Sequence, residues 1–333
     1  MNHPKGAVSS GILFAIYIDN LLRILRSSGF GCHINGVFFG ALIFAGDIFL
    51  LSASRSGLQA MVDLCQEFAT SRNLKFGTNP DPVKSKTKCL IFSKRPVKYE
   101  KYKRIMLDGN KLPWVESVKH LGHILQRDNS MRLDVAKKRG IFIGKTNSLL
   151  QEFNNVDSRV FMKLLNSFAT GLYGSNLWDL FSKDCDRLYT SYNVAIRNIL
   201  HLDRCTHRYL IEPLSENLHV KTILASRFVT FHQSLRSSSK FPVRFLANLY
   251  EQDLRTVHGK NLMEIAQICG QPVGQLSSQL VKAKLRYRTI PNDEIWRLSL
   301  SRELKNICDN NDLLPPGFTN DEVEEMLKYV CSS

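Results

Sequence analysis

Paired cysteines are missing from this chain. Its eight cysteines are scattered over 333 residues and no Cys-x-x-Cys occurs. That argues for free thiols in a reducing, intracellular compartment, with nucleus and cytoplasm not distinguished. His201-x-x-x-Cys205-x-His207 is the one metal-like cluster, and it lacks a fourth ligand at zinc spacing. It reads instead as a helix end with a buried cysteine and two polar histidines. Acidic residues are in deficit: 30 Asp and Glu face 45 Lys and Arg, a net charge of +15. Such a surplus suits an anionic partner, nucleic acid first. Long apolar runs without a charge are also missing. Gly11 to Ile18 is closed by Asp19 with no small-x-small cleavage site after it, and Gly36 to Ala53 contains Asp47. A charge at bilayer depth costs about 2.5–3.5 kcal/mol on insertion scales, so a soluble protein with no membrane partner is expected. No repeat and no low-complexity tract occurs, and 44% hydrophobic residues is ordinary for a globular protein. The length allows two or three core-forming units.

What is present is a run of short periodic segments. Ser10 to Ser27 reads as a helix with Leu13, Phe14, Tyr17, Leu21 and Leu25 on one side. Cys32 to Ile34 and Val37 to Ile43 read as strands around the Asn35-Gly36 turn. Gly40 to Ser52 reads as a buried β-hairpin with Asp47 to Ser52 as its second arm. Ser54 to Asn73 is an amphipathic helix with Leu58, Met61, Val62, Cys65, Phe68 and Ala69 as its core face. Strands are expected at Lys88 to Ser93, Arg104 to Leu107, Lys111 to Trp114 and Ser117 to Leu125, with Asp108-Gly109-Asn110 as a turn. Beyond Asp128 the chain turns helical. One face is Val135, Phe142, Thr146, Leu149, Leu150 and Phe153; after Asn154-Asn155 and a cap at Asp157 the next is Phe161, Leu164, Leu165, Phe168 and Leu172. Further helices are expected at Ser182 to Leu202, Leu210 to Leu235, Pro242 to Ile268 and Leu276 to Leu304. Thr319-Asn320-Asp321-Glu322 reads as a capping box opening a short acidic helix. The fold class is α+β, an antiparallel sheet with packed helices followed by a mostly α-helical remainder.

Asp47 is the informative residue. A carboxylate in an apolar hairpin needs a cation or donor if it is buried, and a divalent metal is the common solution. The alternative is a turn aspartate at a solvated bend. Phe44-Ala45-Gly46-Asp47 resembles the aromatic-Ala-Asp-Asp signature of reverse transcriptases. Lys5-Gly6-Ala7-Val8-Ser9-Ser10-Gly11-Ile12-Leu13-Phe14 resembles the family's Gln-Gly-x-x-x-Ser-Pro-x-x-Phe segment. Asn79 to Phe92, with Lys84, Lys86 and Lys88, resembles its lysine-bearing palm segment, and Leu121-Gly122 its primer-contacting hairpin. Order and spacing are similar to the non-LTR retrotransposon enzymes of the jockey and CR1-like kind over residues 5 to 125. Tyr173-Gly174-Ser175-Asn176-Leu177-Trp178 resembles their post-palm region.

The resemblance implies a partial palm over 1–126, a helical thumb-like region over 127–236 and a C-terminal helical region with an acidic tail over 237–333. It also implies RNA-directed DNA polymerisation, Mg²⁺ as cofactor, and RNA or an RNA–DNA heteroduplex as partner. In the family, two ions hold the primer hydroxyl and the incoming triphosphate. Gly46 stands where the first hairpin aspartate belongs, leaving Asp47 as the single catalytic and metal-ligating candidate. The earlier palm aspartate would lie ahead of the Gln-Gly-like segment, and the chain begins just before it. One carboxylate cannot neutralise and fix two ions, so no polymerisation by this chain alone is expected. The missing palm strand would leave a hydrophobic edge, open to self-association.

Nucleic-acid contacts are expected at Gly6, Lys84, Lys86, Lys88, Leu121, Gly122, Lys137, Lys138 and Arg139. Lys84 to Arg104 carries nine basic residues against Glu100, interleaved with Phe92, Tyr99 and Tyr102, a composition suited to single strands or a heteroduplex backbone. A basic strand edge that blocks edge pairing is the alternative. Lys137, Lys138, Arg139 and Lys145 suit a phosphate backbone or, equally, a solvated helix face. A non-catalytic binding module and the inert product of a decayed element are the competing functions.

Overall fold

The computed structural model describes residues 10–79, 81, 83–153, 156–204, 206, 208–215, 217–285, 304, 319, 321–323 and 325–326. It is mixed α and β, mostly helical, and divides into two compact units: residues 1–120 with 125–130, and 121–124 with 131–333. Among the described residues no helix is long and apolar enough to cross a membrane.

The first unit is built from local signals. Helix α1 spans Ser10–Ser27 and buries Ile18, Leu21 and Leu25 at the helical repeat. Strands β1 (His33–Ile34) and β2 (Val37–Phe38) join through Asn35 and Gly36, both left-handed at φ 49° and 80°, as the favoured two-residue hairpin requires. The expected strand Val37 to Ile43 is interrupted at Phe39-Gly40. A Cβ on Gly40 would meet the Phe38 ring at 2.4 Å, so the chain bends where only glycine fits. Strands β3 (Ala41–Phe44) and β4 (Asp47–Leu50) then pair from Ala41↔Leu50 to Phe44↔Asp47.

Helix α2 runs Arg55–Thr70 behind a Ser54 cap whose hydroxyl accepts the Gly57 N–H at 3.0 Å. Its Met61, Cys65 and Phe68 close over Leu21, Leu25 and Ala41 in one apolar cluster. Val62 belongs to a second cluster with Cys89, Ile105, Leu107 and Leu112. Strands β5 (Met106–Leu107) and β6 (Asn110–Lys111) turn on Asp108 and Gly109, at φ 50° and 71°. Gln59 of α2 accepts the Met106 N–H and donates to the Met106 carbonyl, both at 2.9 Å. Its amide stands in for a neighbouring strand. Strands β7 (Ser117–His120) and β8 (His123–Gln126) turn on Leu121 and Gly122, at φ 45° and 82°.

Two expectations are corrected here. Among the described residues the strands form four separate two-stranded hairpins, not one antiparallel sheet. The expected strand Lys88 to Ser93 is also absent; one parallel bridge joins Cys89 to Trp114. Cys89 donates to the Pro113 carbonyl and accepts from Val115. Pro113 has no N–H with which to extend the ladder.

The second unit is helical. Its helices are α3 (Arg132–Glu152), α4 (Ser158–Leu164), α5 (Lys183–Ile199), α6 (Arg208–Ser215), α7 (Val220–Arg236), α8 (Phe241–Gln252), α9 (Val257–Cys269) and α10 (Ser278–Leu285). Asp157 and Ser182 cap α4 and α5. Thr319 and Glu322 form the expected capping box, the Thr319 N–H donating to Glu322 at 2.9 Å and the Glu322 N–H to Thr319 at 3.3 Å.

Three features depart from the sequence pattern. The helix expected over Pro242 to Ile268 is broken at Asp253 to Thr256 into α8 and α9. The sequence places a boundary at 236/237, yet Phe228 before it and Leu262, Ile265 and Val281 after it share one core. A π-turn at Leu165–Ala169 follows α4 and adds a residue to the turn. That shift takes Phe168 out of the expected core face and leaves it 50% exposed, while Ala169 is buried. Gly6, Cys205, His207, Asn154, Asn155 and residues 286–303 lie outside the described residues.

Candidate nucleic-acid interface

Asp47 sits opposite Phe44 at the tip of the β3–β4 hairpin, where Ala45 takes a φ of 48° to close the two-residue turn. Phe44, Ala45, Gly46 and Asp47 are all exposed. The buried hairpin tip expected from the apolar run is therefore corrected. Ala41 is buried, but Leu42 is exposed and Phe44 is 66% exposed. The base of the hairpin packs into the cluster with α1 and α2, through Ala41, Ile43, Ile48 and Leu50, and the tip lies beyond it. Among the described residues no group of three or more His, Cys, Asp or Glu is placed to hold a metal.

Lys84, Lys86 and Lys88 lie on an irregular segment that nonetheless alternates. Lys84 and Lys86 project from it, whereas Ser85 and Cys89 are buried. Lys88 is exposed as well. Lys86 N–H and Thr87 N–H both donate to the Gly77 carbonyl, at 3.2 and 3.0 Å. Lys84 pairs with Asp81 at 3.7 Å, both exposed. All three lysines are thus open to solvent.

Lys137, Lys138 and Arg139 do not act as one face, because successive helical residues point about 100° apart. Lys137 is exposed. Lys138 holds its ammonium 5.4 Å from the Tyr173 ring centre. Arg139 is turned inward and donates to the Ser191 hydroxyl at 2.6 Å, tying α3 to α5.

Leu121 and Gly122 form the tip of the β7–β8 hairpin, and the residues after them lead to a polar node that the pattern reading missed. Asp134 is fully buried on α3. Its carboxylate accepts the Ile124 N–H at 3.0 Å and the Trp178 indole N–H at 2.9 Å, and faces His123 Nδ1 at 3.4 Å. His123 stacks on Tyr173, ring centres 5.3 Å apart at 27°. One signal for Asp134 was available: it lies eight residues ahead of Phe142, on the buried arc of the same helix. Tyr173 was singled out only as the start of the segment resembling the post-palm region, and its outward stance depends on left-handed Leu172 and Gly174, at φ 38° and 82°.

Burial pushes the thiols of Cys65, Cys89 and Cys185 up to about 12, far from the thiolate form at neutral pH. Lys138 beside Tyr173 and Lys145 beside Phe168 place cations next to exposed aromatic rings. No protein-family model matches the chain, and no curated protein matches it.

Proposed function

We propose that this chain is a non-polymerising relative of the reverse transcriptases of non-LTR retrotransposons that retains binding to RNA or an RNA–DNA heteroduplex. The first unit then corresponds to part of a palm and the second to a thumb with C-terminal helices. The observation that carries the reading is the β3–β4 hairpin. Phe44-Ala45-Gly46-Asp47 closes a tight turn in which Phe44 pairs with Asp47, and on the resemblance one carboxylate stands where the catalytic hairpin has two. Phosphate contacts need only lysine and arginine, and the exposed row Lys84, Lys86 and Lys88 supports their survival. Free thiols at Cys32, Cys65, Cys89, Cys185 and Cys269 suit a reducing compartment.

The test has two arms. Primer extension on an RNA template with Mg²⁺ or Mn²⁺ is expected to show no incorporation; incorporation abolished by Asp47→Ala overturns the non-polymerising reading. Binding to an RNA–DNA heteroduplex is expected to weaken by about 10³-fold or more between 50 and 200 mM salt if six or more phosphates are contacted. An affinity flat in salt points instead to an inert product.

A further inference from the structure

Two exposed aromatic side chains of the second unit each meet a lysine of the same helix. Lys138 lies over Tyr173, which is 66% exposed, and Lys145 lies 4.5 Å from the ring centre of Phe168. Lys145 also donates to the Phe168 carbonyl at 2.7 Å. Lys138 and Lys145 are seven residues apart on α3, two helical turns, and so share one side about 10.5 Å apart along the axis. Exposed Ile141 lies between them.

Both rings are held in place. Tyr173 stands between the left-handed residues Leu172 and Gly174 and is backed by His123. A Cβ on Gly174 would lie 1.5 Å from His123 Cε1, and one on Gly122 would lie 3.3 Å from Tyr173 Cε1. His123 is in turn set by buried Asp134. Phe168 is carried outward by the π-turn, a distortion frequent at functional sites.

From this arrangement we infer that the strip is a site for single-stranded nucleic acid, in which Tyr173 and Phe168 each stack on an unpaired base and Lys138 and Lys145 turn to the adjacent phosphates. The inference rests on the nucleic-acid reading above and narrows it to unpaired strands. Exposure of the rings selects the occupant. In a duplex strand the base faces are covered by their stacked neighbours, so a base can lie on Tyr173 or Phe168 only when it is splayed out of the stack, as in an unpaired strand. Stacking on an aromatic ring tolerates any base, and flanking lysines supply the sequence-independent attraction. A lysine over an exposed ring is weakly held, so Lys138 can exchange the ring for a phosphate when a base arrives; Lys145 must also give up its hydrogen bond to the Phe168 carbonyl.

The experiment uses the full chain and fluorescence anisotropy with oligo-deoxythymidine, oligouridine and an abasic oligomer, each of about 16 nucleotides. Tyr173→Ala and Phe168→Ala are each expected to lose about tenfold in affinity for both base-bearing oligomers, with the salt slope unchanged. Tyr173→Phe is expected to bind like the parent, and none of the three to change binding of the abasic strand. Circular dichroism checks that the variants fold, which their exposed positions favour. Alanine variants that bind base-bearing strands as tightly as the parent overturn the strip and leave the broader nucleic-acid reading standing. Equal losses on the abasic strand overturn it too. A parent chain that binds no nucleic acid at any salt removes both, and capture of a protein partner by the strip would then be its use.

Discussion

His219 shows how one ring can tie stability to pH. It caps α7: its Nδ1 accepts the Lys221 N–H at 3.1 Å, and its Nε2 faces Asn193 Oδ1 at 2.9 Å. Those partners require the neutral tautomer with the proton on Nε2, since a proton on Nδ1 would displace the cap. Burial, reinforced by the positive charges of Lys221 and Arg208, lowers its pKa from 6.5 to about 4. The unfolded chain therefore takes up a proton near pH 6.5, while the folded chain resists until about pH 4. The stabilisation is complete above the unfolded value and is lost as the pH falls through that window. His258, lowered to about 4 by burial and by neighbouring His232, acts in the same direction. Urea denaturation is expected to show a loss on the order of 1–2 kcal/mol from His219 between about pH 7 and pH 5. His219→Asn, which keeps a capping side chain, should reduce that pH dependence; an unchanged slope would exclude His219 as its source.

At the scale of elements, α3 carries a visible weakness. Gly140 and Gly144 lie inside the helix, where glycine costs about 0.5–1 kcal/mol relative to alanine, and neither position has a neighbour that a methyl group would strike. Gly140→Ala and Gly144→Ala are each expected to stabilise the second unit by about that amount, read as a higher denaturation midpoint; a fall would mean that the helix needs its glycines for a second conformation. Element type was legible wherever the repeat ran unbroken. Of the α2 stripe Met61, Val62, Cys65, Phe68 and Ala69 are buried as the spacing requires, and Leu58, at its N-terminal end, is partly buried. The asparagine–glycine and aspartate–glycine turns, and the caps at Asp157 and Ser182, also stand where their chemistry puts them. Phe168 was not legible, because a π-turn changes the phase of the repeat without a mark in the residues that form it.

On the scale of the molecule, two units hold separate apolar clusters: Leu21, Met61 and Ile105 in one, Phe142, Trp178 and Phe228 in the other. Asp134→Ala would strip buried acceptors from the Trp178 and Ile124 N–H groups, at a cost of about 3 kcal/mol. Scanning calorimetry is expected to show two transitions, with the second unit's lowered by about 10 °C in this variant and the first unit's unmoved; a single transition shifted as a whole would show one cooperative body. The candidate site was legible in part. The row Lys84, Lys86 and Lys88 is exposed as expected, while Asp47 proved solvated, not buried, and Arg139 turned inward to Ser191. By itself the sequence determined the helices, the tight turns, the caps and the excess of positive charge, because each follows from residues within a turn or two of one another. Only the tertiary structure decided the burial of Asp134 against Trp178, 44 residues away, and the outward stance of Tyr173 and Phe168. Those depend on which surfaces meet, and packing between distant segments leaves no periodic trace along the chain.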